Sequence, residues 1–216
     1  MMNIKMLKAA VAGLVLSVCG FANAGLVSLE AQNSGWYSNT GTSNGNMANT
    51  CITCGSSLLR AWFGWDLSSI SLTENITSAN LVLYSDPSNQ ENQNISFYDV
   101  VTSYANLGQD GLATYTDLGE GVLFSSGIGQ DLWNTFELTA GAISALNTAR
   151  GSTFAIGAVN DSGGVWLGYN AGVSASSSYY RLEITTEAIT SVPEPSTIAI
   201  LALGVMGIAA RRFKKQ

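Results

Sequence analysis

Ala79-Asn80-Leu81-Val82-Leu83-Tyr84 is the stretch from which the fold of this 216-residue chain is read. In an extended chain successive side chains point to opposite faces, so Ala79, Leu81 and Leu83 share the inward side while Asn80 and Val82 point outward. Period-two alternation over such a length predicts a half-buried β-strand. Upstream, Leu58-Leu59-Arg60-Ala61-Trp62-Phe63-Gly64-Trp65-Asp66-Leu67 divides in the same way. Leu59, Ala61, Phe63 and Trp65 take one face, and Leu58, Arg60 and Trp62 take the other.

The neighbouring sequence continues in this manner. Runs rich in β-branched and aromatic residues predict strands over 26–31, 95–101, 121–124, 132–138, 153–159, 165–169 and 179–186, separated by Gly, Asn, Ser and Asp clusters. Gly35-Trp36-Tyr37 is read as the start of a long polar loop, and the chain from 102 to about Gly119 as another. One helix is predicted, from Thr139 to Gly151. Thr139 can cap its start, Arg150 suits its C-terminal dipole, and Gly151 can adopt the left-handed cap. Roughly nine or ten short strands with turn signals between them point to a β-sandwich or barrel. No internal period suggests a solenoid or propeller.

The two ends differ from this middle. Lys5 and Lys8 precede an apolar run from Ala9 to Val18, and Ala22-Asn23-Ala24 is a small-x-small cleavage site, so residues 1–24 read as a secretory signal peptide handed to the Sec translocon. At the other end Val192-Pro193-Glu194-Pro195-Ser196-Thr197 stops any preceding element. It is followed by an apolar segment, Ile198–Ala210, in which Ile198, Leu201, Leu203 and Ile208 point all round a helix, and then by Arg211-Arg212-Phe213-Lys214-Lys215. Thirteen residues give a helix of roughly 20 Å, short of a roughly 30 Å hydrocarbon core, and the arginine stems narrow the gap. The cations orient such an anchor with its C-terminus in the cytoplasm.

This tail resembles the PEP-CTERM sorting signal of Gram-negative bacteria over residues 192–215. The resemblance implies an exported precursor held transiently in the inner membrane, with an exosortase as its partner, cutting near Pro193-Glu194-Pro195. The mature form would then reside at the cell surface or in the extracellular matrix, among exopolysaccharide. A second resemblance covers Leu58–Ile70 and Ile76–Tyr84, which are similar to the start of jelly-roll modules of the DNRLRE type: an Arg-bearing strand into Asp-Leu-Ser, then Ser-Ala-x-Leu-x-Leu. It is also similar to the same region of many PEP-CTERM proteins, and implies a carbohydrate-binding-module-like fold. Trp65 stands where that family commonly has Phe. The expected fold is therefore all-β, a jelly-roll-like β-sandwich with one short helix. The domains are a signal peptide (1–24), an acidic sandwich (25–190) and a sorting signal with a membrane helix (191–216).

Charge narrows the function classes. Between the targeting segments only Arg60, Arg150 and Arg181 face fourteen carboxylates, a net charge of about −11 with no lysine. Such a surface repels phosphate backbones, so nucleic acid is not an expected partner. The chain has no histidine, which removes Ser-His-Asp and Cys-His hydrolysis and the usual zinc sites. No catalytic residue and no cofactor are assigned.

The remaining candidates are few. Cys51-Ile-Thr-Cys54 reads as a small structural disulfide in an oxidising compartment, with free thiols or a redox centre as alternatives. Aromatic rings can stack on sugar faces, and Trp36, Tyr37 and Trp166 rank first as glycan contacts because they lie beside loops; Trp62, Trp133, Tyr169, Tyr179 and Tyr180 follow. Asp66, Asp99, Asp110, Asp117, Glu120 and Asp131 supply carboxylates for a glycan hydrolase, the least favoured alternative. Asp110 and Asp117 with backbone carbonyls are the weak calcium candidates. Arg60 is expected to pair with a carboxylate inside the fold.

Overall fold

The Ala79–Tyr84 alternation lies inside the longest strand among the described residues, to which the rest of one sheet is attached. The computed structural model describes residues 25–45, 50–53, 58–85, 93–129, 132–160, 164–167 and 179–189. All of these but Ile189 belong to one compact unit, Asn23–Ala188. The strands in chain order are β1 (Gly25–Glu30), β2 (Asn33–Ser38), β3 (Ser43–Gly45), β4 (Thr50–Ile52), β5 (Leu59–Asp66), β6 (Glu74–Ser85), β7 (Gln93–Asp99), β8 (Leu123–Gly129), β9 (Leu132–Glu137), β10 (Thr153–Asn160), β11 (Val165–Leu167) and β12 (Tyr180–Ala188). Two helices accompany them, α1 (Leu112–Asp117) and α2 (Ala140–Thr148).

These strands form two antiparallel sheets. The first runs β1-β12-β6-β11-β4, with β9 also paired to β6; the second runs β3-β2-β5-β10-β7-β8. Between them lies one large core. The first sheet contributes Leu81, Leu83, Phe136, Tyr180, Leu182 and Ile184; the second contributes Ala61, Phe63, Trp65, Phe97, Ile156 and Ala158. The all-β sandwich is thus as expected: Ala79, Leu81 and Leu83 of β6 face the core as read, Ala61, Phe63 and Trp65 of β5 share it, and Trp62 on the other face of β5 is buried in a smaller core.

Helix α2 closes part of this core with Ala142 and Leu146. Thr139 caps it by accepting the Ala142 amide, and Gly151 follows it with a φ of 74° that an L side chain rarely adopts. Arg150 donates from Nε to the Asn147 carbonyl at 3.0 Å, satisfying a last-turn acceptor. Asn147 in turn donates to the Ile76 carbonyl at 2.8 Å and accepts its amide at 2.9 Å, tying the helix to β6.

Several boundaries differ from expectation. Gly35-Trp36-Tyr37 does not open a loop but lies in β2, paired to β5 with Trp36 opposite Ala61 and Tyr37 opposite Arg60. The segment read as loop before Gly119 contains a 3-10 turn at Tyr104–Asn106 and α1. It folds over the outer face of the second sheet, where Leu107 and Leu118 join Tyr37, Trp62 and Ala155 in a second small core. Gly157 permits this close approach, because a methyl there would meet the backbone of Leu118. The strand predicted at 121–124 is displaced to 123–129.

Val82 was expected to face water and is 4 % exposed. It sits between Arg181 on β12 and Thr135 on β9, and Arg181 reaches Trp133 across the outer face of β6, covering the row. The signal peptide and Ile198–Ala210 lie outside the described residues. Among the described residues no helix is long and apolar enough to cross a membrane.

Candidate functional site

The outward row of the first sheet is set by register. Along β6, Asn80, Val82 and Tyr84 alternate with the buried leucines. In β9 they meet Glu137, Thr135 and Trp133, and in β12 Asn80 and Val82 meet Glu183 and Arg181. Because facing residues in an antiparallel ladder share a side, three rows result: an aromatic one, one containing Arg181, and one carrying two carboxylates.

The aromatic row is packed by its own rings. Tyr84 meets Trp133 edge-on at 5.3 Å between centroids and stacks on Tyr179 at 4.9 Å, and Trp133 lies 6.1 Å from Tyr179. The Arg181 guanidinium carbon sits 4.7 Å from the Trp133 ring centroid, within cation–π range. Its Nε is buried without a hydrogen-bond partner, so stacking on the indole sets its position. Tyr84 is buried, Tyr179 half-buried, and Trp133 stays 47 % exposed. Trp133 and Tyr179 were secondary candidates in the sequence; nothing in the local pattern indicates that they meet.

The first-ranked candidates fare differently. Tyr37 offers no surface to a sugar: it is 0 % exposed. Its hydroxyl accepts the Gly108 amide at 2.7 Å, inside the small core under the 100–119 segment. Burial pushes its pKa above the usual 10, reinforced by the Asp110 charge and opposed by the Gly108 hydrogen bond. Trp36 is half-buried, in register with the inward-facing Ala61. Trp166 pairs with Cys51 in the β11–β4 ladder, but its side chain lies outside the description, as do Cys54 and the Cys51 side chain. The proposed disulfide therefore falls outside the described residues, as do Pro193, Glu194, Pro195 and the anchor.

The carboxylates near strand ends are occupied with backbone. Asp66 accepts the Ser68 amide at 2.8 Å, Asp99 the Val122 amide at 2.6 Å, and Asp117 the Thr102 amide at 2.7 Å and the Val101 amide at 3.2 Å. Asp110 accepts the Ser43 amide at 2.7 Å and its hydroxyl at 2.9 Å, which holds its pKa below the usual carboxylate value. Asp110 and Asp117 thus fasten different segments, and among the described residues no group of three or more acidic or cysteine side chains could hold a metal. Arg60 departs from expectation: it donates to the Tyr115 and Thr116 carbonyls at 2.9 and 2.8 Å and stacks on the Tyr115 ring. It caps the C-terminus of α1, where orphaned carbonyls and the helix dipole favour a cation. A cleft of about 360 Å³ opens beside Asp99, Tyr104, Phe124, Thr148 and Phe154, with Asp99 its one carboxylate.

These features define the class: an antiparallel β-sandwich domain joined to a C-terminal address. The address matches the family model of the PEP-CTERM protein-sorting motif over residues 191–215, one residue longer than read from the sequence. It marks a protein exported and sorted to the cell envelope, and implies processing by an exosortase, a membrane protein. No curated protein matches the chain.

Proposed function

We propose that this is a non-enzymatic envelope or extracellular-matrix protein of a Gram-negative bacterium whose processed sandwich associates with exopolysaccharide. The sorting motif at 191–215 carries the reading. The precursor enters through the Sec translocon and waits in the inner membrane on its apolar tail. The exosortase then cuts near Pro193-Glu194-Pro195.

Support for the non-catalytic part comes from the carboxylates. Asp66 accepts a backbone amide of its own turn, while Asp99, Asp110 and Asp117 accept amides of other segments and fasten them, which is a structural use of the charge. Carboxylate hydrolysis of a glycan needs two such groups facing one space. Support for polysaccharide as the partner comes from the exposed indole of Trp133.

The test is fractionation in the producing cell. The wild-type chain is expected as a lower-mass species in the surface and matrix fractions, co-sedimenting with exopolysaccharide. A chain with Glu194→Ala and Pro195→Ala is expected to accumulate uncut with the inner membrane. Wild-type protein found uncut in the cytosol, or in the matrix fraction equally with and without polysaccharide, would overturn the reading.

A further inference from the structure

We infer that the outer face of the first sheet is a binding platform for a polysaccharide lacking anionic groups, with Trp133 as its stacking surface. This rests on the exopolysaccharide reading above and adds a place and a charge class to it.

The geometry of Trp133 is the starting point. Arg181 lies over one face of the indole at 4.7 Å, and Tyr84 and Tyr179 pack against the same ring. Yet 47 % of the residue remains exposed. A ring fixed by three neighbours offers its exposed part as a rigid apolar surface. The apolar faces of pyranose rings stack on such surfaces, at little entropy cost because the ring is already fixed. The Arg181 Nε beside this ring is buried without a hydrogen-bond partner, which is unfavourable by itself.

Charge selects the class of chain. Below the aromatic row the outer face bears Glu137 and Glu183 flanking Asn80, with Glu30 opposite Arg181 on β1. The other two arginines of the domain are committed elsewhere, Arg60 to α1 and Arg150 to the Asn147 and Leu72 carbonyls. A uronate, sulfate or phosphate chain laid along this face would bring like charge against a domain at about −11. A neutral chain meets no such repulsion. One with protonated amines meets attraction from the carboxylates, while Asn80 and Thr135 offer neutral hydrogen-bonding groups to hydroxyls.

The experiment uses processed protein recovered from the producing cell, with affinity electrophoresis in gels containing a neutral β-glucan, chitosan or alginate at low ionic strength. Retardation is expected in the first two and not in alginate. Trp133→Ala is expected to weaken retardation at least tenfold, and Trp133→Phe, which keeps a smaller ring, by two- to fivefold. Both variants should show the wild-type circular dichroism spectrum; if Trp133→Ala unfolds, the Phe variant decides. Retardation by alginate equal to that by glucan overturns the charge class. Wild-type retardation that survives Trp133→Phe and Trp133→Ala unchanged overturns the platform while leaving the matrix reading intact. Binding to none of these, together with failure to co-sediment with the native exopolysaccharide, removes both.

Discussion

Gly25 lies directly across the β1–β12 ladder from Thr186, so the chain enters and leaves the sandwich at one end of one sheet. Thr186 also pairs with Ile76, whereas the aromatic row sits at Tyr84, roughly 25 Å further along β6 at the rise of an extended strand. The sorting motif begins at residue 191, just past Ala188 where β12 ends. The end of the sheet from which the chain continues toward the sorting motif is therefore remote from Trp133.

That pairing makes the mature N-terminus predictable. The expected outcome is cleavage after Ala24, which would leave Gly25 as the first residue and β1 whole; intact-mass measurement of the processed protein checks it. Removing Gly25–Glu30 would strip six ladder positions from β12 and expose core behind Val27 and Leu29. A loss of about 3 kcal/mol is expected in chemical denaturation. An unchanged midpoint would show that β1 is not part of the folded sheet.

Gly157→Ala should be disproportionately costly for so small a change. The added methyl runs into the backbone of Leu118, which cannot move without lifting the 100–119 segment from the second sheet. A destabilisation of about 2–3 kcal/mol is expected. The fluorescence of Trp62, buried beneath that segment, should shift to longer wavelength.

Tyr37→Phe removes the acceptor for the Gly108 amide and should cost about 1–2 kcal/mol by urea titration. The same small core is sensitive to alkali. Burial raises the pKa values of Tyr37 and Tyr104 above their ordinary 10, so the folded state holds these protons more tightly than the unfolded one. The stability they contribute is complete below pH 10 and is lost as the pH climbs through their folded-state values. In acid the sign reverses. Hydrogen bonds from Ser68 and Ser43 lower Asp66 and Asp110 below 3.8, so their contribution holds above that value and is lost as the pH falls below it. Melting temperature followed across both ranges should decline at each extreme, and the alkaline decline should shrink in Tyr37→Phe.

Arg60→Met removes the guanidinium that donates to two carbonyls of α1, leaving Thr116 with the Gly119 amide and Tyr115 without its donor. About 1–2 kcal/mol should be lost, with Arg60→Lys intermediate because an ammonium cannot span both oxygens as a planar fork does. Equal stability of all three would mean that the helix end is satisfied by solvent.

How far the fold was legible depended on how local its cause was. The alternation in β5 and β6 and the Thr139 and Gly151 caps act within a few residues, and each appears in the structure where the sequence places it. β2 was missed because Asn33-Ser34-Gly35 and Ser38 carry little strand signal; it is a strand because β5 pairs with it and the 100–119 segment covers Tyr37. The alternation points Val82 at water because nothing near it in sequence announces Arg181 reaching across to Trp133.

The export address, the acidic surface without lysine or histidine and the all-β character follow from composition and short-range pattern, since charge, hydropathy and pleat are properties of neighbouring residues. The platform does not: Tyr84, Trp133, Tyr179 and Arg181 come from three separated parts of the chain, and only the antiparallel registers bring them to one face. A shift of one residue in either pairing would have turned those rings inward, and that choice is made by the packing of the whole sandwich.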